Sequence, residues 1–431
     1  MKLKRLLILL FFPVFATGQT GLSLKEAMDR ALQNNLEVRL ARNNAEAAEW
    51  NNHPGVAGAL PTVNLSGGDV QQSTNIYQKL ANGTIIERDG AAGNTMNGAL
   101  AVSYTLFNGY RISATRERLA RLQEAGDAQL LSQIQSTLAA VIGRYYDVQR
   151  QEQVGQALTR SRDFVAERVK VLETRARVGL ANDADLFQAR IDLNAAEQAL
   201  SAQQLAIRQA KLDLSRLLAV PGDSTLSPTD SLILDQSIRQ DSVRSYLQRN
   251  PDYVAAGALV VINEQLEREI NAQRLPSLRL NGGYNFQRSQ SEAGFSLINQ
   301  SYGPNIGLSL QVPIYNGGAF ERQHRVAKLQ TENARIQQQN VEQGLLSEAL
   351  KTYAAYRTAL EQVGLQEENE QLSRRLLDIL SQRFATSQAT VLDLRAAQAS
   401  YEATAASLAN VRYTAKLAET ELKRLMNRLP E

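Results

Sequence analysis

PIYNGGAF at Pro313–Phe320 and TLFNGYRI at Thr105–Ile112 decide how this chain is read. Each sets an aromatic residue before Asn-Gly, follows a run of alternating apolar residues, and precedes a long stretch without proline. A shift of 208 lays Phe107-Asn108-Gly109 on Tyr315-Asn316-Gly317. Further on, Tyr146 meets Tyr353 at 207. Asp185-Leu186 meets Asp393-Leu394, and Leu214, Arg216 and Leu217 meet Leu422, Arg424 and Leu425, all at 208. Upstream the offset is 215: Asn35 meets Asn250, and LPTVNLSGG (Leu60–Gly68) meets LPSLRLNGG (Leu275–Gly283). The second copy is therefore shorter by seven residues between Gly68 and Phe107. The 431-residue chain reads as two similar halves rather than three ordinary domains.

The halves run 19–219 and 241–431, joined by a linker at 220–240. Each begins with a helical segment, expected at about Leu24–Ala59 and Ser242–Arg274. Ser23 with Glu26 has the spacing of a capping box. Leu-Pro at Leu60-Pro61 and Leu275-Pro276 is expected to end each segment, because the residue before proline is pushed out of the α region. A strand hairpin follows, at 62–107 and 277–315. Leu100, Val102, Tyr104 and Leu106 share one face, as do Ile306, Leu308, Leu310, Val312 and Ile314; this period of two is that of a strand with one apolar side. Val63/Leu65 and Leu278/Leu280 open the partner strands. The polar, Gly-rich stretch Lys79–Thr95 is expected as a loop.

After Asn-Gly the period changes. No proline occurs from Tyr110 to Ala219 or between Ile314 and Leu429, and Ala, Leu, Gln, Glu and Arg dominate. Long helical hairpins are expected at 110–219 and 318–429, interrupted near Arg177–Asp185 and Phe384–Asp393. The first arm, Tyr110 to Val178, would span roughly 100 Å at 1.5 Å per residue. Asn182/Asp185 and Thr390/Asp393 mark the restarts as capping pairs. Charges recur every few residues along these helices, so they belong in water and bury only a stripe.

Composition narrows the function. Lys2, Lys4 and Arg5 precede an apolar run, Leu6–Phe15, and small residues follow at Ala16 and Gly18, the order of a secretory signal peptide over 1–18. Removing those three cations takes the formal charge of +3 to zero, so the basic balance is no nucleic-acid footprint. There is no cysteine and there are only two histidines, His53 and His324, which leaves little material for a metal site, a thiolate or a Ser-His-Asp relay. No nucleotide-binding or nucleophile-elbow motif occurs. Neither catalytic residues, a metal nor a cofactor is expected.

Four strands of about ten residues, apolar on one face, suit a membrane but cannot close a barrel, which needs about eight or more. Open edges are not tolerated in lipid. Several copies must share one barrel, and three would supply twelve strands. Tyr104, Phe107, Tyr110, Tyr284, Phe286 and Tyr315 are expected near the strand ends as interfacial aromatics. The opposing reading of the strands is a soluble two-sheet packing, and the opposing reading of the protein is a soluble periplasmic coiled-coil scaffold.

The duplicated halves, the Leu-Pro strand starts, PIYNGG at the strand-to-helix exit and the hairpin tip RVGLANDADLFQAR together resemble the TolC-like outer-membrane efflux protein family over nearly the whole mature chain. The resemblance implies an α+β membrane protein: a tandem-duplicated protomer, four barrel strands, two very long helical hairpins, and a homotrimer sharing a 12-stranded barrel and a periplasmic α-barrel. It implies an exit duct for a tripartite efflux pump or type I secretion system, in the outer membrane with a periplasmic extension. Its partners would be outer-membrane lipid, a periplasmic adaptor and an inner-membrane transporter, for example of the resistance-nodulation-division type. It places adaptor contacts at Val178, Gly179, Leu180 and Ala181, with Ser387-Gln388 as a divergent second tip. It makes Asp378 a candidate pore-constriction carboxylate, against a plain solvated helix-face charge. Pro61, Asn108, Gly109, Pro276, Asn316 and Gly317 mark the strand–helix transitions.

Overall fold

The computed structural model describes residues 21–180, 182–220, 222 and 226–429. The expected signal peptide and Ala181 lie outside them. In chain order the elements are β1 (Gly21–Leu22), α1 (Leu24–Asn34), α2 (Leu36–Asn51), β2 (Thr62–Lys79), β3 (Ile85–Asn108), α3 (Arg111–Arg177), α4 (Asp183–Leu217), β4 (Ser227–Pro228), α5 (Gln240–Tyr246), a 3-10 turn (Leu247–Arg249), α6 (Pro251–Ala272), β5 (Ser277–Ser291), β6 (Ile298–Gln311), α7 (Ala319–Ala385) and α8 (Val391–Leu425). The helical hairpins of the two halves match in length, 67 and 35 residues each. No described helix is long and apolar enough to cross a membrane.

The chain forms two units. One comprises residues 43–129 and 252–341. Its antiparallel sheet has the order β2-β3-β5-β6. The two hairpins share one register: Thr62 faces Ser103, and Ser277 faces Gln311, the same pair moved by 215 and 208. The helices beside the sheet repeat the same way. Asn52, just past the end of α2, donates to Gln123 on α3 at 2.8 Å, and at the equivalent positions Thr331 on α7 donates to Glu267 on α6 at 3.3 Å. Between the halves, α3 meets α6 through Ala125, Ala258 and Ile262 and an Arg118–Glu269 ion pair at 2.6 Å.

The strands, at 14 to 24 residues, exceed the expected ten. Lys79–Thr95 is not a loop: only residues 80–84 turn, and Ile85–Thr95 is already paired in β3. A polar sequence can extend a ribbon once neighbouring strands supply its hydrogen bonds, which hydrophobic periodicity does not register. Tyr284 and Phe286 consequently lie in the middle of β5, opposite Leu100 and Gly98, rather than at its end. They mark instead the outer limit of the apolar band. From Leu278 to Phe286 is about 26 Å at ~3.3 Å per residue, the height of a bilayer-spanning belt.

The other unit holds residues up to 42, 130–251 and 342 onward. Its core gathers Leu22, Ala27, Ala31, Leu138, Val141, Tyr145, Leu214 and Leu218. The opening helical segment is not continuous to Ala59. Asn35 breaks it: its side-chain oxygen accepts from Glu37 and Val38 N–H at 2.9 and 3.2 Å, while its amide donates to the Leu217 carbonyl at 3.0 Å. Asn250, its equivalent, breaks the second segment and donates to the Leu425 carbonyl at the same 3.0 Å. A buried asparagine that caps one helix and satisfies the last carbonyls of another makes the break worth having.

The linker is clipped to this core. Ser227–Pro228 pairs in parallel with Gly21–Leu22. The Tyr145 hydroxyl donates to the Leu22 carbonyl at 2.8 Å and accepts from Thr229 and Asp230 N–H. Tyr356 donates to the Asp235 carbonyl, and Lys423 pairs with the Asp235 carboxylate at 3.2 Å. Burial pushes the Tyr146 and Tyr356 hydroxyls up to about 12.

Candidate functional site

Three features of the molecule bear on function: the apolar sheet face, the strand-to-helix exits, and the hairpin tips. On the sheet, Leu65, Leu308, Leu310 and Ile306 are exposed, Ile306 at 81%. Water penalises such a continuous apolar wall, and a bilayer does not. Tyr104, Phe107 and Tyr110 lie at its inner end, Phe107 and Tyr110 edge to face at 5.4 Å.

The exits explain the repeated Asn-Gly. Gly109 and Gly317 both sit at φ 69°, and the next residue is also left-handed in each copy, Tyr110 at 68° and Gly318 at 77°. Two successive left-handed residues turn the strand abruptly into the helix, and glycine takes that conformation without steric cost. The asparagine caps the new helix: Asn108 Oδ1 accepts from Ile112 N–H at 3.2 Å, and Asn316 Oδ1 from Phe320 N–H at 3.4 Å. The sequence marks Asn108 and Asn316 as strand–helix transitions, and the capping bonds are seen only in the structure.

Pro61 and Pro276 immediately precede β2 and β5. Only in the second half does Leu-Pro lie close to a helix end. In the first, α2 stops at Asn51, and a turn through Pro54 fills the gap, with His53 Nδ1 accepting from Gly55 N–H at 3.1 Å. Pro54 has no equivalent, since Glu269 occupies its place in the second half. It lacks the N–H that would extend α2.

At the tips, α3 ends with Leu180 N–H bonded to the Arg175 carbonyl and Gly179 N–H to that of Ala176. At the second tip Gln388 N–H reaches Arg383 and Ser387 N–H reaches Phe384. Both are Schellman ends, although their side chains differ. Val178 and Leu180 are exposed, Leu180 at 77%. Beneath them lies an apolar cluster of Val169, Leu172, Leu377, Phe384 and Leu394. Arg175 joins the tips by donating to the Phe384 and Ala385 carbonyls and stacking 4.9 Å over the Phe384 ring.

The restarting helices are capped unequally. Thr390 and Asp393 form a full capping box, and those hydrogen bonds hold Asp393 below the usual carboxylate range. Asn182 caps α4 through Ala184 N–H at 3.1 Å, not through Asp185. Asp378 is exposed on α7, in a cleft of about 370 Å³ shared with Arg160, Asp163, Glu167 and Arg374. Among the described residues no metal-ligating cluster occurs.

Sequence reasoning missed the buried charge cluster at the base of the tips. Arg168 of α3 donates to Asp192 of α4 at 2.7 Å, and Arg395 of α8 approaches the same carboxylate oxygen at 3.3 Å. Burial lowers the Arg168 pKa. Only packing of three helices shows that these charges converge.

A protomer that offers one apolar sheet face, two unpaired strand edges and two capped helical hairpins is a subunit of an outer-membrane channel. The chain belongs to the outer membrane efflux protein family, whose pattern matches residues 27–220 and again 243–428. It is similar to the outer membrane efflux protein BepC of Brucella suis, 24% identical over 94% of this chain and 88% of that protein. It also resembles the proteases secretion protein PrtF of Dickeya chrysanthemi, 23% identical over 79% and 74%. Among solved structures, the Campylobacter jejuni CmeC outer membrane channel superposes with a TM-score of 0.80 at 18% identity, covering 95% of this chain and 87% of that one.

Proposed function

We propose that the protein is the exit duct of a tripartite efflux pump or a type I secretion system. It passively conducts what an inner-membrane transporter delivers to the cell exterior. Three copies close one twelve-stranded barrel in the outer membrane, and their helical hairpins extend the passage into the periplasm. The observation that carries this is the four-stranded sheet with an exposed apolar face and free edges at β2 and β6. Such a sheet is unsatisfied in water and in lipid alike until copies join edge to edge.

The hairpin ends meet a periplasmic adaptor, which couples the duct to an inner-membrane transporter such as one of the resistance-nodulation-division type. Val178, Gly179, Leu180, Ala181, Ser387 and Gln388 are the proposed contact residues. The matching backbone of the two tips supports using both, because the adaptor would meet the same turn twice. Asp378, repeated by threefold symmetry, would raise cation occupancy in a narrow passage. The protein is proposed to perform no catalysis and to bind no nucleic acid.

The test is the native mass of mature protein extracted from membranes in mild detergent. A trimer is expected. A soluble monomer or dimer would overturn the duct in favour of a periplasmic scaffold.

A further inference from the structure

Below the first strand-to-helix exit lies a cleft of about 1010 Å³, formed within the sheet-bearing unit by residues at the end of α2, the start of α3 and the end of α6. Tyr110, Arg116, Gln265, Arg268, Asn271 and Leu275 line it. Phe107 fixes which side of the sheet the cleft is on. It lies opposite Leu278 on the apolar face, and the exposed Tyr110 ring meets it edge to face. The cleft therefore begins where the lipid-facing wall ends, on the same face.

Its charges are out of balance. Arg116 and Arg268 have neither an ion pair nor a side-chain hydrogen bond among the described residues. The carboxylates next to them in sequence are engaged: Glu117, on the cleft wall, holds Arg121, Glu267 accepts from Thr331 and faces His324, and Glu269 holds Arg118. Gln265 is 6% exposed, yet its amide has no hydrogen-bond partner among the described residues. A buried amide left unpaired is costly, and this one borders a space that a ligand can enter. The duplication does not account for these residues. At the positions repeated from Tyr110, Arg116, Arg268 and Gln265 stand Gly318, His324, His53 and Trp50. The second half repeats the backbone of the exit without these two cations.

We propose that the cleft binds the phosphate headgroup of a phospholipid from the periplasmic leaflet of the outer membrane. The Arg116 and Arg268 guanidiniums take the phosphate oxygens, Gln265 donates its amide N–H, and the acyl chains pass Leu275 and Tyr110 to reach the apolar face. Guanidinium suits phosphate because its N–H groups match two oxygens at once. The depth also fits. Arg116 follows Tyr110 by six residues, about 9 Å along the helix, and helix side chains lean toward the N-terminus, here toward the bilayer. The headgroup layer is itself about 5–7 Å deep. A soluble phosphate shares the headgroup's chemistry, but the apolar flank beside the lipid-facing wall favours the lipid. The site rests on the placement of the sheet in the bilayer and not on what the duct carries.

The test is native mass spectrometry of the detergent-extracted protein titrated with dioleoylphosphatidylglycerol. One lipid per chain is expected. Arg116→Gln with Arg268→Gln should weaken binding by roughly tenfold or more at unchanged trimer mass. Ser113→Glu, which adds a carboxylate to the cleft wall and keeps both arginines, should weaken it in the same way. Arg322→Gln with Lys328→Gln removes two α7 cations outside the cleft and should change binding by no more than about twofold. Full lipid binding by both cleft variants would overturn the site, as would an equal loss in the α7 control. Displacement of the lipid by millimolar inorganic phosphate would assign the cleft to a soluble anion and overturn the lipid. A wild-type trimer that binds no lipid would overturn the site and leave the duct standing. A wild-type monomer that binds it through the arginines would do the reverse, since the cleft lies within one chain.

Discussion

Gly179 and Ser387 hold the same left-handed backbone, at φ 77° and 66°, each with two hydrogen bonds closing the end of a 67-residue helix. Glycine suits that conformation and serine does not, because its Cβ crowds the following carbonyl. Ser387→Gly is therefore expected to stabilise the protein by about 1 kcal/mol. Gly179→Ala should destabilise it by a similar amount. Thermal unfolding of the detergent-extracted protein, followed by circular dichroism, checks both.

The tip's proposed role in docking is separable from its role in folding. Leu180 is exposed, so Leu180→Asp should alter stability by no more than about 0.5 kcal/mol. Outer-membrane level and native trimer mass should be unchanged, while export falls. Normal export in that background would take Leu180 out of the adaptor contact.

Asn35 and Asn250 each cap a helix start or mark its break while holding a distant helix end, and both are buried. Asn35→Ala removes the cap and strands the Leu217 carbonyl, at a cost of about 2 kcal/mol. A drop in the denaturation midpoint is expected, together with faster amide exchange at Glu37 and Val38, whose N–H groups the side chain holds.

The buried pair at the base of the tips gives an asymmetric result. Asp192→Ala leaves Arg168 inside with its charge uncompensated and should cost about 3–5 kcal/mol. Adding Arg168→Met removes that charge, so the double variant is expected to recover much of the loss. A double variant no more stable than Asp192→Ala would show that the carboxylate, not the stranded cation, carried the effect.

Asp235 gives the linker clip a pH dependence. Hydrogen bonds from Ser237, helped by Lys423, hold its carboxylate down to about 2. A depressed folded-state pKa contributes stability above the ordinary value of 3.8 that is lost as pH falls through about 2. Between those limits wild type should lose stability more steeply than Asp235→Asn, and the two should run parallel above pH 5. Melting temperatures across that acid range provide the comparison.

Much of this fold is legible because its signals are local. Alternation at Leu100–Leu106 and Ile306–Ile314 marks strands wherever they end up, and the proline-free arms mark helices. What local patterns misplace is where an element stops. Nothing in the neighbourhood of Asn35 forbids a helix continuous from Leu24 to Asn51. The break is favourable because Leu217, far along the chain, needs a donor. The same holds for Ile85–Thr95, polar enough for a loop, which becomes strand because β2 pairs with it and β5 joins at Gly93. Ser387 reads as a departure from Gly179, yet helix termination imposes the same backbone on both.

The duplication is written in the sequence as matching residues at fixed offsets, and the order of strand hairpin and helical hairpin, the Asn-Gly exits and the tips are written there as spacing and residue type within a few turns of chain. The strand registers, the helix breaks at Asn35 and Asn250, the convergence of Arg168, Asp192 and Arg395, and the unequal burial of equivalent residues such as Trp50 and Gln265 come from packing in space. Those features depend on which distant groups meet, and a buried polar group finds its partner by position in space rather than along the chain.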